Sequence, residues 1–220
     1  MTTEPAAVGW RAADLVAPIT LVLVRHGQTA LTAQKRFSGV RTDPELTPIG
    51  RDQADALAGA VGDLGPVHTV LTSPLRRARE TAQIIVDRLG LPVRTDQRLL
   101  ECDFGAWDGC SWAEIERDWP DELARWLAST AAEPPEGESF DAVAARVRAI
   151  KDELRQAHPG RTVVLVSHVS PIKLLVSDVL GAPVESIYRM ELSTASVTVV
   201  QWYADGHPSL RTFNDTGHLR

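Results

Sequence analysis

The chain has little cysteine and no long hydrophobic run. Its 220 residues include 2 cysteines, Cys102 and Cys110, which are too few for a disulfide scaffold. We expect both thiols to be reduced. No apolar run approaches the roughly 20 residues that a helix needs to cross a bilayer, so we predict no membrane span. Residues 1–10 lack the basic start and apolar core of a secretory signal, and a cytoplasmic location is expected.

An excess of basic charge is also missing. The 29 acidic residues outnumber the 23 basic ones, which gives a net charge of −6. Proteins that bind nucleic acids usually carry a basic surface, so we do not expect this chain to bind them. A small basic pocket is compatible with the acidic total, because local charge decides what a crevice attracts. The length suits one α/β domain, with or without a small insertion.

Short β-branched runs alternate with amphipathic helical patterns along the chain. Residues 19–24 and 162–167 are continuous apolar runs with the length of a buried strand. Residues 67–72 and 91–94 predict two further strands, the second at a sheet edge. Residues 195–203 predict a last strand, whose direction is left open. The alternation predicts an α/β fold, a doubly wound and mostly parallel sheet with helices on both faces.

Two pairs of a hydroxyl residue and a proline predict helix starts. Thr47-Pro48 is typical of an N-cap followed by proline at the first helical position. Ser73-Pro74 repeats this signal and predicts a helix that Gly90 ends.

Residues 99–137 interrupt the alternation. The stretch is rich in tryptophan, glycine and acidic residues, and it contains a short helix that Ser111 and Glu114 are expected to cap. We interpret it as an inserted helical cover over the carboxyl edge of the sheet. Residues 19–220 would then form a single domain. Residues 1–18, with their alanines and prolines, are expected to be a flexible tail or the remnant of a linker.

Four tryptophans lie in this cover. Trp112, Trp119 and Trp126 are spaced at seven residues, a helical spacing that favours packing of the cover on the sheet. The alternative is that one indole, Trp107 in particular, stacks on an aromatic leaving group.

A histidine follows each of the two buried runs. His26 comes directly after Arg25, at the end of residues 19–24, and His168 follows residues 162–167. In an open α/β sheet the carboxyl ends of parallel strands form the ligand crevice. We therefore predict that both imidazoles and Arg25 share one pocket that binds an anion.

The residue types of this pocket suit phosphoryl transfer. A neutral histidine can accept a phosphoryl group and pass it to water. Arginine holds phosphoryl oxygens bidentately, and Arg25 and one arginine of residues 73–78 fit that task. A protonated His168 would stabilise the charge of the transition state. Glu101 is the best candidate for the general acid that protonates the leaving group.

Four motifs, in this order, resemble those of the histidine phosphatase superfamily, also called the phosphoglycerate mutase-like family. They are Arg25-His26-Gly27-Gln28-Thr29, then Leu46-Thr47-x-x-Gly50-x-x-Gln53-Ala54, then Ser73-x-Leu75-x-Arg77-Ala78-x-x-Thr81-Ala82, and Ser167-His168 after a strand. The resemblance runs from residue 19 to 203. Residues 104–109 look like the phosphatase branch, and the chain is most similar to α-ribazole phosphatase-like proteins and to the acid phosphatase domain fused to ribonuclease H in actinobacteria.

The resemblance implies a role for each residue of the pocket. His26 becomes the phosphorylated nucleophile and Glu101 the proton donor, while Arg25, Arg77 and His168 form the phosphate clamp. No metal and no organic cofactor is implied.

Further substrate contacts are expected around this clamp. They are Thr29, Thr32, Ser38, Gly39 and the backbone N–H of Val169. Many family members carry Trp-Asn where this chain has Leu31-Thr32. Thr32 is therefore expected to replace the usual asparagine contact poorly or not at all.

These observations predict a phosphomonoester hydrolase of the acid phosphatase or α-ribazole phosphatase kind, which acts on small phosphorylated metabolites through a phosphohistidine. One alternative is a cofactor-dependent phosphoglycerate mutase. Another is a non-catalytic module that binds phosphorylated ligands. The expected partner is the small-molecule substrate. A homodimer, and an origin in or fusion to a chain that contains ribonuclease H, are left open.

Overall fold

The structure is a computed structural model that describes residues 17–220. The tail predicted at residues 1–18 lies outside the described residues, apart from Ala17 and Pro18. Within the described part, the strands are β1 (Ile19–Arg25), β2 (Thr69–Thr72), β3 (Val93–Thr95), β4 (Thr162–Ser167), β5 (Val197–Trp202) and β6 (Pro208–Asp215). They form one sheet in the order β3-β2-β4-β1-β5-β6.

The sheet is mostly parallel. Strands β3, β2, β4 and β1 run parallel to one another, whereas β5 pairs antiparallel with β1, and β6 antiparallel with β5. This architecture confirms the predicted doubly wound sheet. Strand β6 was not predicted, because its residues alternate poorly between buried and exposed and its register against β5 shifts twice.

Helices cover both faces of the sheet. They are α1 (Ala30–Ala33), α2 (Pro48–Asp63), α3 (Arg76–Leu89), α4 (Trp112–Asp118), α5 (Pro120–Ala128), α6 (Phe140–Ala157) and α7 (Val169–Val179). Leu21 and Leu23 of β1 point into the apolar cluster formed with α6 and α7, and Val22 and Val24 point into the cluster formed with α2 and α3. Side chains alternate between the two faces of a strand, so burial on both faces explains why β1 is apolar throughout.

One predicted helix start is confirmed and one is wrong. Thr47 caps α2, since its hydroxyl accepts a hydrogen bond from the backbone N–H of Gly50. Helix α3, by contrast, begins at Arg76, three residues after Ser73. The Ser73 hydroxyl lies instead 2.8 Å from Nε2 of His168, 95 residues along the chain. Gly90 ends α3 in the left-handed conformation, as predicted.

The cover carries α4 and α5. The capping box of Ser111 and Glu114 begins α4. Trp107 and Trp126 are buried against each other edge to face, which matches the packing interpretation, whereas Trp112 is exposed. No helix within residues 17–220 is both long and apolar enough to span a bilayer.

The segment that follows α1 is attached to the cover, which the sequence did not predict. Arg36 forms an ion pair with Glu114 at 2.8 Å. The carboxylate of Asp108 accepts hydrogen bonds from the backbone N–H groups of Gly39 and Arg41 and from the main chain and hydroxyl of Thr42. We call residues 36–42 the crevice wall, because Arg36, Phe37 and Ser38 of this segment line the cavity described below.

Candidate active site

The strand register brings the two histidines together. Strands β1 and β4 are parallel neighbours, with Arg25 opposite Ser167, so both chains leave the sheet at the same level. The backbone N–H of His26 continues the ladder by donating to the carbonyl of Ser167 at 3.1 Å. The ring centroids of His26 and His168 are 5.1 Å apart. The two imidazoles thus lie side by side, but only His26 lines the cavity; His168 is fully buried behind it, which differs from the predicted clamp position.

Hydrogen bonding fixes the tautomer of His26. Its Nδ1 lies 2.7 Å from the carbonyl oxygen of Gly27. A carbonyl only accepts, so Nδ1 carries the proton and Nε2 presents its lone pair. Burial lowers the pKa of His26 well below the usual 6.5, and the charges of Arg77 and Arg25 lower it further. The ring is therefore neutral at physiological pH, as a nucleophile must be.

His168 is neutral as well in the free protein, so the protonated ring expected in the transition state is not present before substrate binds. Burial lowers its pKa well below 6.5, and the nearby Arg77 adds to this effect. Nδ1 of His168 accepts a hydrogen bond from Nε of Arg77 at 3.3 Å. The hydrogen of its other nitrogen is directed to the Ser73 hydroxyl. The ring would become protonated only when a bound anion raised its pKa.

Arg25 supplies the free cationic donor of the site. It lines the cavity in front of His26, and its Nη1 donates to the carbonyl of Leu192. Burial lowers its pKa to about 10, so the guanidinium stays charged at neutral pH. Its Nε is buried without a hydrogen-bond partner. Buried donors are almost always paired, so this Nε is a candidate hydrogen-bond donor to a bound anion.

Arg77 is placed differently from the predicted clamp. The side chain is fully buried and does not line the cavity. Its Nη2 donates to the carbonyls of Ser38 and Gly39 at 3.0 and 2.8 Å, and its Nη1 to that of Thr42 at 3.2 Å. In this structure Arg77 therefore binds the crevice wall and His168, and it acts on His26 through its charge.

Glu101 lies at the N-terminus of α7. Its Oε1 accepts hydrogen bonds from the N–H groups of Cys102 and Ser170 at 2.8 and 3.1 Å, and its Oε2 from that of Val169 at 3.0 Å. The carboxyl lines the cavity together with His26. Because the Val169 N–H donates to Glu101, it is not free for the substrate contact that was predicted.

The remaining predicted contacts divide into two groups. Thr29 is fully buried and Gly39 lies outside the cavity, with its N–H on Asp108, so neither is placed to bind substrate. Thr32 and Ser38 do line the cavity. The Thr32 hydroxyl, however, accepts from the N–H of Thr29 in the capping box of α1 and donates to the Thr29 carbonyl. The Ser38 hydroxyl is buried and unpartnered.

The cavity measures about 430 Å³ and extends well beyond the histidines. Aromatic side chains form much of its far wall, and the sequence did not assign them to the site: Phe37, Phe104, Trp126, Phe140 and Tyr188. Lys35 and Lys173 add positive charge. The helical spacing of Trp126 and Phe140 in the sequence indicated only that these two aromatic residues pack in the core. Trp107 is fully buried outside the cavity, so the stacking alternative is wrong for this residue.

Comparison with known proteins decides the family. A family model described as the histidine phosphatase superfamily (branch 1) matches residues 21–216. The chain belongs to the histidine phosphatase superfamily. This result confirms the resemblance seen in the four motifs, and the relatives include phosphatases.

Two curated relatives and one solved structure are similar to this histidine phosphatase. The bifunctional protein Rv2228c of Mycobacterium tuberculosis is 43% identical over 218 residues, which are 99% of this chain and 59% of the relative. The chain thus spans about three-fifths of that relative's length. A glucosyl-3-phosphoglycerate phosphatase of the same species is 39% identical over 172 residues, 74% of this chain and 76% of the relative.

The solved structure has the same fold over nearly the whole domain. It is the mycobacterial glucosyl-3-phosphoglycerate phosphatase Rv2419c complexed with VO3. The TM-score is 0.81 at 36% identity, and the match covers 90% of this chain and 99% of that one.

Proposed function

We propose that this histidine phosphatase hydrolyses small phosphomonoesters through a phosphohistidine on His26. The observation that carries the proposal is a free Nε2 on a neutral His26, in a cavity also lined by Arg25 and Ser38, whose Nε and Oγ have no hydrogen-bond partner. A phosphoryl group bound there would satisfy both atoms. Its phosphorus would lie in front of the nucleophile.

In the first step Nε2 of His26 bonds to phosphorus and the bond to the ester oxygen breaks. A protonated Glu101 gives its proton to that oxygen, and the alcohol leaves. In the second step water attacks the phosphohistidine and transfers a proton to the Glu101 carboxylate. Phosphate leaves and His26 is restored. Arg25 and Arg77 stabilise the negative charge of both transition states.

The cavity supports a substrate whose leaving group is larger than glycerol. Its aromatic wall favours apolar or ring-shaped leaving groups, and its lysines favour an additional negative charge. Phosphate esters such as α-ribazole phosphate and glucosyl-3-phosphoglycerate fit this description. Acid phosphatase activity, a cytoplasmic location, a homodimer and the link to ribonuclease H remain predictions.

A phosphate-release assay tests the proposal. The panel contains α-ribazole phosphate, glucosyl-3-phosphoglycerate, sugar phosphates and 3-phosphoglycerate, and kcat/KM is compared across it. His26→Ala is expected to abolish turnover of every ester, whereas His207→Ala, which changes an exposed histidine, leaves it intact. Phosphatase activity of His26→Ala close to that of the parent would refute the nucleophile. If the phosphoryl group of 3-phosphoglycerate moves to another position of glycerate faster than free phosphate is released, the enzyme is a mutase instead.

A further inference from the structure

Arg146 of α6 lies outside the cavity, yet it is attached to the segment that carries Glu101. The arginine is mostly buried, with 18% of its side chain exposed. Its Nη1 donates to the carbonyls of Arg98 and Leu100 at 2.8 and 2.7 Å, and its Nη2 to the carbonyl of Glu101 at 3.0 Å. Nε and Nη2 also bind the two carboxylate oxygens of Glu138, each at 3.0 Å. All five N–H groups of the guanidinium are thereby used.

These bonds hold a stretch that has little regular structure of its own. Residues 100–104 are neither helix nor strand. Three of the four carbonyls of residues 98–101 bind Arg146, and the fourth, that of Leu99, accepts from the Ser167 hydroxyl at the end of β4. Four consecutive carbonyls are thus fixed by side chains. Without them, the main chain at Glu101 would lose the side-chain contacts that fix its carbonyls.

We propose that Arg146 is a positioning residue for Glu101, an inference that rests on the proposed function. The carboxyl of Glu101 is oriented by the N–H groups of α7, and the main chain beneath it by the guanidinium of Arg146. Both supports are needed, because a displacement of about 1 Å in a catalytic group can cost about 100-fold in rate. Glu138 neutralises the guanidinium and keeps its planar fork aligned with the carbonyls.

Arg146→Lys tests this role, because an ammonium group has three donors and cannot reproduce the planar fork. The readout is kcat/KM for an alkyl phosphate and for p-nitrophenyl phosphate, whose good leaving group needs little protonation. The alkyl ester is expected to lose about 10- to 100-fold and the nitrophenyl ester less than about threefold. Because both substitutions act on the Glu101 carboxyl, kcat/KM for the alkyl ester should be little lower in the Arg146→Lys, Glu101→Gln double variant than in Glu101→Gln alone.

Arg148→Lys is the matched control. Arg148 lies on the same helix, pairs with Asp178 and does not touch residues 98–101, so both esters should be hydrolysed as before. If Arg146→Lys does not fold, Glu138→Gln takes its place, since it loosens the guanidinium while the carbonyl contacts stay. Glu138→Gln should lower kcat/KM less than Arg146→Lys does, and again more for the alkyl ester than for the nitrophenyl ester.

Equal losses on both esters, or full additivity with Glu101→Gln, would overturn the positioning role. This outcome is distinct from failure of the proposed function. If Glu101→Gln itself shows no dependence on the leaving group, the proton-donor assignment fails. If Glu101→Gln shows that dependence and neither Arg146→Lys nor Glu138→Gln does, only the inference about Arg146 fails.

Discussion

Nε of Arg77 donates to Nδ1 of His168 across 3.3 Å, and both side chains are fully buried. A guanidinium only donates, so this contact keeps Nδ1 unprotonated and assigns the single ring hydrogen to Nε2. The same guanidinium binds three carbonyls of the crevice wall between residues 38 and 42. One buried cation therefore connects the wall to the histidine pair, and its charge adds to the effect of burial that keeps both rings neutral.

Neutral burial of the histidines predicts that acid weakens the fold. The pKa of His26 and of His168 lies well below 6.5 in the folded protein, whereas both return to about 6.5 on unfolding. Below this pH the unfolded chain binds protons that the folded rings do not. Titration of these rings therefore does not lower the free energy of unfolding above about pH 6.5. Below that pH, each histidine lowers it by up to about 1.4 kcal/mol per pH unit, until the pKa of the folded state is reached.

Urea denaturation at about pH 7.5 and at about pH 5.5 measures this slope. His168→Asn offers the comparison, because its amide oxygen can still accept from Arg77 and does not titrate. The variant should lose clearly less stability between the two pH values than the parent chain. An identical loss in both proteins would show that His168 does not contribute.

Proton donation by Glu101 predicts a strong dependence on the leaving group. Glu101→Gln keeps an oxygen that can accept from the backbone N–H groups, but it has no proton to give. Alkyl phosphates should lose about 100- to 10,000-fold in kcat/KM, and p-nitrophenyl phosphate far less. Steady-state kinetics across a series of leaving groups checks this. Parallel losses for all esters would count against the general acid.

Ser38 and Thr32 line the same cavity but are expected to respond in opposite ways. The unpartnered Ser38 hydroxyl is free for substrate, so Ser38→Ala should raise KM about fivefold, the equivalent of about 1 kcal/mol, and leave stability nearly unchanged. The Thr32 hydroxyl belongs to the capping box of α1. Thr32→Val should therefore lower the unfolding free energy by about 0.5–1.5 kcal/mol, the net worth of a hydrogen bond, with little change in KM. The reverse pattern in kinetics and denaturation would contradict this assignment.

Two glycines of α2 make a matched pair. A Cβ on Gly50 would lie 2.1 Å from the carbonyl oxygen of Gln28, beside the loop that carries His26. Gly50→Ala should cost about 1–3 kcal/mol of stability and lower kcat. A Cβ on Gly59 meets nothing closer than 3.7 Å, so Gly59→Ala should gain about 0.5–1 kcal/mol. Similar effects of the two substitutions would show that the close approach at Gly50 is not needed.

Sequence reasoning succeeded where a feature depends on local pattern. The runs that became β1 and β4 are apolar throughout because both faces of these central strands are buried, and their register then brings His26 and His168 together. Strand β6 was missed, because an edge strand with half-exposed residues gives little periodic signal.

Details that depend on distant partners could not be predicted. The N–H of Val169 is bound by Glu101, 68 residues away, and the N–H of Gly39 by Asp108, 69 residues away. The Ser73 hydroxyl resembles a helix cap in the sequence but contacts His168 in the fold. In each case the residue type allowed the expected role, and the fold gave its polar group another partner.

The most direct test of the central claim is to identify the residue that becomes phosphorylated. Enzyme is mixed with a substrate carrying a labelled phosphoryl group, quenched within the first turnover under conditions that preserve phosphohistidine, digested and mapped by mass spectrometry. The account predicts an acid-labile phosphoryl group on His26, formed in step with a burst of released alcohol. A label on another residue, or a first turnover that releases phosphate with no labelled protein, would contradict it.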